Sequence, residues 1–532
     1  MLPKKLTQHL VNINIKSLLK NKKFYFFLII LNSLLFPIYY GYRGVLPLDS
    51  FLIFDGGFKV LNNIHPFRDY WTITGPLLDY IQSVLFFLFS VNWFSYVLHA
   101  ALINCLLAVL SYYFFLEIGL KNFFALIYSL SISILAYPQT GTPFMDHHAS
   151  IFSLLSISFL ILSFMKNKKR LWFLSSLFLV FSFFSKQVPS GYLAILLIIL
   201  IPIYLFFIDS RKNNNFLFFI WGGVIGVLFF LSIFIINKIP IQDFLIQYIY
   251  YPLSIGESRI SSLDLNLKNI FFKFKFIHIS LIPLVITSFF LIKKKKKKKK
   301  NKKDIIVLTL IFSSALIFLY TQLLTKNQVL IFFLIPFYLG ISHLFVIEYF
   351  NKKSLIYFII FILVVATSKY HLRYNENKKF MELAGADFNK TIDARILDKK
   401  LSGLNWITPL YIDNPALELK MLNEVKKIIM EDAENKIIIT DYQILSALTG
   451  NLNYAPNKWF DNLSVPSKKN KYFNNYKLFF ISKIKEQKIK NIYVVGTYRL
   501  GNFLFLFEKK ECLDYKKIND ISLKLDIKNC FL

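Results

Sequence analysis

The chain has 532 residues, of which 55% are hydrophobic and 18% aromatic, and its formal net charge is +32. A soluble domain averages about 45–50% apolar residues, so a fold surrounded only by water does not account for this composition. The apolar excess predicts that lipid surrounds much of the chain. We therefore expect an α-helical polytopic membrane protein.

The positive charge has two interpretations. A strongly basic chain can bind nucleic acid. Here, however, the lysines stand in short runs between apolar segments, which is the pattern of cytoplasmic loops under the positive-inside rule. The longest run, at 293–300, is interpreted as a topology anchor that also suits anionic lipid headgroups. Membrane lipids are therefore expected partners, and nucleic acid is not.

The apolar stretches predict about eleven spanning helices, since a span needs about 20 mostly apolar residues. The predicted spans are 24–42, 94–117, 121–138, 148–165, 170–185, 188–208, 215–236, 277–292, 305–324, 328–347 and 354–370. With the N-terminus in the cytoplasm, every basic loop falls on the cytoplasmic side. An odd number of spans then puts the C-terminal part of the chain outside the membrane. No small-residue cleavage site closes the first span, so it is expected to be retained.

These spans divide the chain into three parts. Residues 1–23 form a basic cytoplasmic N-terminus, 24–370 the transmembrane domain, and 371–532 an extracytoplasmic domain, called here the tail domain. Two outer segments, 43–93 and 237–276, are too long to be simple turns. We call them the first and second outer segments.

The composition of the tail domain is polar and mixed. Leu417 to Met430 has the periodicity of a helix, whereas Ile437–Thr440 and Ile492–Val495 are short apolar runs typical of buried strands. The pattern predicts a small soluble α/β domain. Cys512 and Cys530 both lie in it and could form a disulfide in an oxidising compartment.

The first outer segment contains the densest group of unusual residues. Asp55 follows the apolar run Phe51–Phe54, and a carboxylate at the membrane surface among aromatic rings is partly desolvated. Desolvation raises the pKa of a carboxyl group and suits a general base. The alternative is an N-cap of a short helix over Gly56–Asn63. Further along, Leu77–Phe89 is an apolar stretch of 13 residues, which favours a helix lying in the membrane interface.

Two further outer positions carry polar residues. Asp146, His147 and His148 stand at the start of the fourth predicted span, where Asp146 is a second candidate acid or an N-cap. The three could also bind a metal ion, although adjacent histidines on a helix point in different directions. Lys186 ends the fifth span on the outer side. Its ammonium group could neutralise a lipid phosphate, or it could simply extend to the interface.

The segments Asp55–Gly56, His65–Asp69 and Gly75–Leu77 resemble the first outer loop of bacterial GT-C glycosyltransferases. That superfamily includes the lipid A aminoarabinose transferases, the protein O-mannosyltransferases and the RgtA/B/C/D-like lipopolysaccharide sugar transferases. Its members have an acidic residue after the first span, then a surface helix, then a Gly/Pro-Leu element that starts a second one. A second acid often follows the first, and Gly56 takes its place here.

The resemblance implies a GT-C-like fold and a hexosyltransferase that uses a polyprenyl-phosphate sugar. It implies that Asp55 is the general base and that Asp146 orients the acceptor or supports Asp55. The groups implied to offset the donor phosphate charge are Lys59, Arg68 and Lys186. Those implied to lie near the sugar or acceptor are His65, Asp69 and His147. Because phosphate leaves without strong protonation, no cofactor is required and a divalent metal is optional.

By the same resemblance, the acceptor is an envelope glycan, as in lipopolysaccharide biosynthesis, or a lipid at the outer face of the plasma membrane. Three other functions stay open. A lipid-linked oligosaccharide polymerase or ligase would be expected to use outer-loop arginines. A transporter would place ionisable residues at mid-membrane and often contain repeats. A structural or sensory protein would act through the tail domain.

Overall fold

The computed structural model describes residues 22–137, 140–208, 214–293, 299–325, 331–450, 452–461, 463–496, 501, 503–507, 513–527 and 530. Most of the predicted basic N-terminus and of the lysine run at 293–300 therefore lies outside the described residues. The described chain is mainly helical, and a small sheet lies near its C-terminal end.

The membrane part is a bundle of helices joined by short loops and by the two outer segments. Its first eight helices are α1 (Lys22–Gly41), α2 (Leu52–Leu61), α3 (Leu77–Phe89), α4 (Trp93–Ile118), α5 (Asn122–Leu135), α6 (Met145–Lys166), α7 (Lys169–Ser185) and α8 (Ser190–Phe207). Its remaining helices are α9 (Leu217–Ile236), α10 (Ile241–Phe244), α11 (Tyr251–Ser261), α12 (Lys275–Lys293), α13 (Lys299–Thr325), α14 (Leu334–Tyr349) and α15 (Lys353–His371).

All eleven predicted spans fall on helices. Eight helices among the described residues, α1, α4, α6, α8, α9, α12, α13 and α15, are long and apolar enough to cross a membrane. The chain is therefore a multi-pass membrane protein. The other three spans fall on α5, α7 and α14, which have 14, 17 and 16 residues. At about 1.5 Å per residue they are shorter than a hydrocarbon core of about 30 Å, so the count of eleven spans stays a prediction.

The N-cap interpretation of Asp55 is wrong. Helix α2 begins at Leu52, with Phe51 at its N-cap, and Asp55 lies inside its first turn. Tertiary packing explains the early start, because the ring of Phe54 contacts the rings of Trp93 and Tyr96. The apolar run that precedes Asp55 is therefore drawn into the helix.

The same correction applies to the start of the fourth predicted span. Helix α6 has Phe144 at its N-cap, and Asp146 lies in the first turn of the helix rather than at the cap. Helix α3 covers the predicted interfacial stretch Leu77–Phe89. It buries Leu78 and leaves Phe87 exposed, as expected of a helix with one face toward the protein and one toward lipid.

The tail domain is built from short strands and three helices. They are β1 (Ile392–Asp393), β2 (Asn405–Trp406), α16 (Pro415–Glu431), β3 (Lys436–Thr440), α17 (Leu445–Thr449), α18 (Phe473–Glu486), β4 (Asn491–Val495), β5 (Asp514–Asn519) and β6 (Ser522–Asp526). The larger sheet has the order β3-β4-β6-β5, with β3 and β4 parallel. The predicted helix, both predicted strands and the α/β class are confirmed. Cys530 is disulfide-bonded; its predicted partner Cys512 lies outside the described residues.

The tail domain packs on one end of the helix bundle, which we call the domain side. The backbone N–H of Gly44, just after α1, donates to the carbonyl of Asn405 in β2 at 2.9 Å. Trp71 of the first outer segment exchanges backbone hydrogen bonds with Pro456 and Lys458. The first outer segment is therefore enclosed between the bundle and the tail domain.

Asp432 is expected to make the stability of the tail domain depend on pH. Burial alone would raise the pKa of the Asp432 carboxyl, but hydrogen bonds from Tyr493, Asn491 and Lys524 hold it well below its usual range. Its stabilising contribution is therefore complete above about pH 5 and is lost as the pH falls below about 4. We expect Asp432→Asn to lower stability at pH 7 by roughly 1–3 kcal/mol.

Thermal unfolding of the full chain in detergent at pH 7 and pH 3.5 measures this effect. The difference in unfolding temperature between wild type and Asp432→Asn should be smaller at pH 3.5 than at pH 7. Asp514→Asn, which removes an exposed carboxylate from β5, should leave the unfolding temperature nearly unchanged at both pH values. An equal difference in unfolding temperature at both pH values would contradict the proposed role of Asp432 in this pH dependence.

Candidate functional site

Helices α2 and α3 touch each other through a glycine. A Cβ atom at Gly56 would lie 2.1 Å from Oδ1 of Asp79, so a larger residue there would displace the Asp79 carboxylate. The Asp79 carboxylate of α3 therefore lies directly against the residue that follows Asp55 in α2.

Asp55 and Lys59 form a buried ion pair within α2. Oδ2 of Asp55 lies 3.0 Å from Nζ of Lys59, and only 2% and 1% of the two residues are exposed. The hydroxyl of Ser446, in the tail domain, donates to Oδ1 of Asp55 at 2.6 Å. Nζ of Lys59 also lies 4.9 Å from the ring centroid of Tyr70. Both carboxylate oxygens of Asp55, the predicted base, therefore have a partner. One of these partners is Lys59, which was predicted to bind the donor phosphate.

A second buried ion pair joins the first outer segment to the tail domain. Nζ of Lys458 lies 2.6 and 2.7 Å from the two carboxylate oxygens of Asp79, and the Tyr70 hydroxyl donates to Asp79 at 3.1 Å. Both charged side chains are almost fully buried. Two buried polar contacts, at Asp55 and at Asp79, therefore hold the tail domain on the segment.

Arg68, Asp69 and His65 form a third polar group in the first outer segment. Nη2 of Arg68 lies 2.7 Å from Asp69, and its Nη1 donates to the carbonyl of Asn237 at 2.7 Å. The His65 ring contacts the Tyr80 hydroxyl at 3.1 Å. Burial, assisted by the Arg68 guanidinium, lowers the pKa of His65 to about 4, so its ring is neutral at pH 7. These contacts tie the segment to the end of α9.

A cavity of about 240 Å³ opens where the two outer segments, α6, α7 and the tail domain meet. We call it the polar cavity. Its charged lining comprises Asp49, Asp146, Lys186, Arg259 and Asp461. Within the described part of the chain, this lining includes two of the predicted site residues, Asp146 and Lys186, and leaves out the other six.

Asp146 and Lys186 meet across the polar cavity in a charge-assisted hydrogen bond. Gly75 makes this arrangement possible, because a Cβ atom there would lie 1.9 Å from the carbonyl oxygen of Phe184 at the end of α7. The backbone N–H of Gly75 also donates to the carbonyl of Ser185, the residue before Lys186, at 3.2 Å. The Gly75–Pro76 element predicted to start α3 also positions this end of the cavity.

His147 points away from the polar cavity. It is buried against the rings of His148 and Phe333, and its two ring nitrogens have no hydrogen-bond partner among the described residues. No three His, Cys, Asp or Glu side chains in that part of the chain come together as metal ligands. The Asp146–His147–His148 sequence therefore places one carboxylate at the cavity and two rings in the helix core.

An apolar groove leads from the polar cavity into the membrane. A space of about 320 Å³ with a mainly apolar lining shares Lys186 and Arg259 with the cavity. It also shares Tyr192 and Ile195 with a further apolar space of about 390 Å³ between α8 and α13. The rings of Tyr192 and Tyr320, one from each helix, lie 5.5 Å apart. We call the two spaces together the apolar groove.

The apolar groove is open to lipid along its side. Ile195 on α8 and Leu316 on α13 line it and are 60% and 66% exposed. Both helices are candidate spans, so a long hydrocarbon chain can enter sideways from the bilayer. Its polar end would then lie at Lys186 and Arg259.

The sequence analysis did not identify Asp49, Arg259 and Asp461 as site residues. Asp49 precedes Asp55 by six positions in the same segment, and Arg259 is the only arginine in the second outer segment. Both signals were present in the sequence. Asp461 and the neighbouring cavity residue Trp459 belong to the tail domain, whose packing against the bundle no local pattern reveals.

Comparisons with known proteins show similarity in structure. No protein-family model and no curated protein sequence match the chain. Among solved structures, it is similar to the archaeal oligosaccharyltransferase AglB from Archaeoglobus fulgidus in complex with an inhibitory peptide and a dolichol-phosphate. The TM-score is 0.41 and the identity 12%, over 89% of this chain and 70% of that one. At this TM-score, a proposed function has to rest on the geometry of the polar cavity itself.

Proposed function

We propose that the protein is a glycosyltransferase that moves a sugar from a polyprenyl-phosphate donor to an envelope glycan or lipid at the outer face of the plasma membrane. One observation carries the proposal: an apolar groove open to the bilayer ends at two cations beside three carboxylates. This combination suits a ligand with a hydrocarbon chain, an anionic group and a sugar in that order.

The donor phosphate would lie at the junction of the groove and the polar cavity. Arg259 and Lys186 line both spaces. A guanidinium can hold two phosphate oxygens at once, and an ammonium adds a charge-assisted hydrogen bond. The isoprenoid chain would follow α8 and α13, and the sugar would project toward Asp49 and Asp146.

Asp49 is proposed as the general base. It lines the polar cavity and is half-buried, whereas Asp55 is only 2% exposed and is not among the residues that line the cavity. For a substrate to reach the carboxylate of Asp55, the residues that bury it must move. Asp55 is therefore the second candidate for the base. Asp146 is proposed to hold Lys186 in place and to orient the acceptor.

The proposed step is a single displacement. The acceptor oxygen attacks the anomeric carbon from the face opposite the phosphate, while its proton passes to the carboxylate of Asp49. The bond between the anomeric carbon and the phosphate oxygen breaks, and polyprenyl phosphate leaves with that electron pair. The configuration at the anomeric carbon is therefore inverted. Arg259 and Lys186 stabilise the charge on the departing phosphate.

The tail domain would form the acceptor side of the cavity. Trp459 offers an aromatic surface and Asp461 a carboxylate, and both line the polar cavity. An aromatic face next to a hydrogen-bond acceptor suits a sugar ring, with its apolar face and its hydroxyl groups. This placement favours a glycan acceptor.

Sugar transfer in membrane vesicles tests the proposed function. Vesicles with the protein receive polyprenyl-phosphate hexose with a radiolabelled sugar, and label in glycan and glycolipid is counted. We expect label to be incorporated from the lipid-linked donor and not from a nucleotide sugar when lipid-linked sugar synthesis is blocked. An absence of transfer from every lipid-linked sugar would overturn the proposal and favour a transporter or a structural or sensory protein.

Arg259→Gln is expected to raise KM for the lipid-linked donor about 10- to 100-fold, because a charge-assisted contact to phosphate contributes roughly 1.5–3 kcal/mol. The KM of Arg259→Lys should lie between those of wild type and Arg259→Gln, because lysine retains the charge but cannot hold two phosphate oxygens at once. Lys238→Gln removes an exposed cation from the same segment and serves as the matched control. An unchanged KM in Arg259→Gln would remove Arg259 from the donor site.

A further inference from the structure

Three cations meet on the domain side, on a different pair of helices from those of the apolar groove. Lys275 begins α12, Lys369 lies in the last turn of α15, and Arg373 follows one turn later. Nζ of Lys275 and Nζ of Lys369 lie 5.8 and 5.5 Å from the centroid of the same ring, that of Phe276. The Arg373 guanidinium lies 5.5 Å from the centroid of Tyr374. We call Lys275, Lys369 and Arg373 the cation cluster.

Carboxylates among the described residues do not neutralise the charge of the cation cluster. Lys275 and Lys369 lie over the same ring and Arg373 follows Lys369 by one turn, so the three like charges repel one another. Among the ion pairs between described residues, none includes a member of the cluster. On the same side, Arg43 and Lys186 each pair with a carboxylate. The arrangement is stable only if water screens the three charges or an anion binds them.

The cation cluster lies where lipid headgroups are found. Lys275 starts one apolar helix and Lys369 ends another, so both mark the edge of the hydrocarbon layer. Extension of a long side chain to the interface explains a single cation at such a place. It does not explain two ammonium groups held over one ring, at the end of the bundle that the basic loops avoid. Both helices also expose apolar side chains within the same leaflet, among them Ile282 and Phe361, against which acyl chains can lie.

We propose that the cation cluster binds the phosphate headgroup of an anionic lipid in the leaflet on the domain side. The phosphate oxygens accept hydrogen bonds from Lys275, Lys369 and Arg373, which relieves the repulsion among them. The acyl chains lie against α12 and α15. Within the described residues, no member of the cluster lines the polar cavity or the apolar groove, so this site is independent of the proposed transferase activity.

Lipid binding to the purified full chain tests the proposal. Protein in neutral detergent is titrated with phosphatidylglycerol or phosphatidylcholine, and bound lipid is counted by native mass spectrometry. We expect wild type to prefer phosphatidylglycerol and the double variant Lys275→Gln/Lys369→Gln to bind it about ten- to thirtyfold more weakly, since each basic residue near a membrane surface contributes measurably. The matched control, Lys352→Gln/Lys353→Gln, removes two exposed cations from the other end of α15 and should bind like wild type.

Two further measurements separate lipid binding from misfolding and from binding of free phosphate. Lys275→Arg/Lys369→Arg retains the charge and should retain binding, which separates charge from misfolding. Inorganic phosphate in millimolar excess should not displace the lipid, because the acyl chains contribute to its binding. Equal lipid preference in Lys275→Gln/Lys369→Gln and wild type would overturn the proposal. So would an equal loss in the control variant, or a cluster that holds inorganic phosphate and shows no lipid preference.

Discussion

Lys458→Met is expected to destabilise the protein by about 3–5 kcal/mol, because it leaves the Asp79 carboxylate buried without its counter-ion. The two residues are 379 positions apart in the chain, and their ion pair lies between the first outer segment and the tail domain. Loss of the pair should therefore loosen the tail domain first. Limited proteolysis and thermal unfolding of the full chain measure both effects.

Asp79→Asn/Lys458→Met is the informative companion variant, since it removes the stranded charge together with its partner. We expect it to recover part of the lost stability, as neutral replacements of buried ion pairs often do. Lys517→Met breaks an exposed ion pair with Asp520 and should change stability little. If Lys458→Met melts like wild type, the buried contact does not hold the tail domain in place.

Asp49→Asn is expected to reduce sugar transfer by a factor of about 10² to 10⁴, the usual contribution of a positioned general base. The carboxamide has a similar size but cannot accept the acceptor's proton. Abundance and unfolding temperature should stay near those of wild type, because Asp49 is only half-buried in the wall of the polar cavity. The initial rate in vesicles with saturating donor measures the loss.

Asp55→Asn should behave differently. Its side-chain oxygen can still accept the Ser446 hydroxyl, but the buried Lys59 ammonium loses its counter-ion. We therefore expect a loss of stability larger than any direct effect on the chemical step. Full transfer by Asp49→Asn, together with no transfer by stable Asp55→Asn, would move the base to Asp55.

Hydrophobicity predicted most of the fold. Long apolar runs have no alternative to helices in lipid, so every predicted span falls on a helix. The sequence predicted helix ends less well, because these depend on contacts with residues that are distant in sequence. Helix α2 starts before Asp55 since Phe54 packs against rings of α4.

The candidate site was predicted by region rather than by residue. Asp146 and Lys186 were identified from their place at span ends, and both line the polar cavity. Lys59 and Arg68 were assigned to the donor phosphate from the resemblance, on their charge and their approximate location in the first outer segment. In the structure each contacts a neighbouring carboxylate, and their phosphate-binding role stays a prediction. Only the folded chain brings Arg259 and Trp459 to the same cavity.

Photo-crosslinking most directly tests the claim that a polyprenyl phosphate occupies the apolar groove. A polyprenyl phosphate with a diazirine on its isoprenoid chain is irradiated with the protein in liposomes, and labelled peptides are mapped by mass spectrometry. We expect label on α8 and α13, competition by unlabelled polyprenyl phosphate, and a clear reduction in Arg259→Gln. Labelling spread over all lipid-facing helices, insensitive to competitor and to Arg259→Gln, would contradict the account.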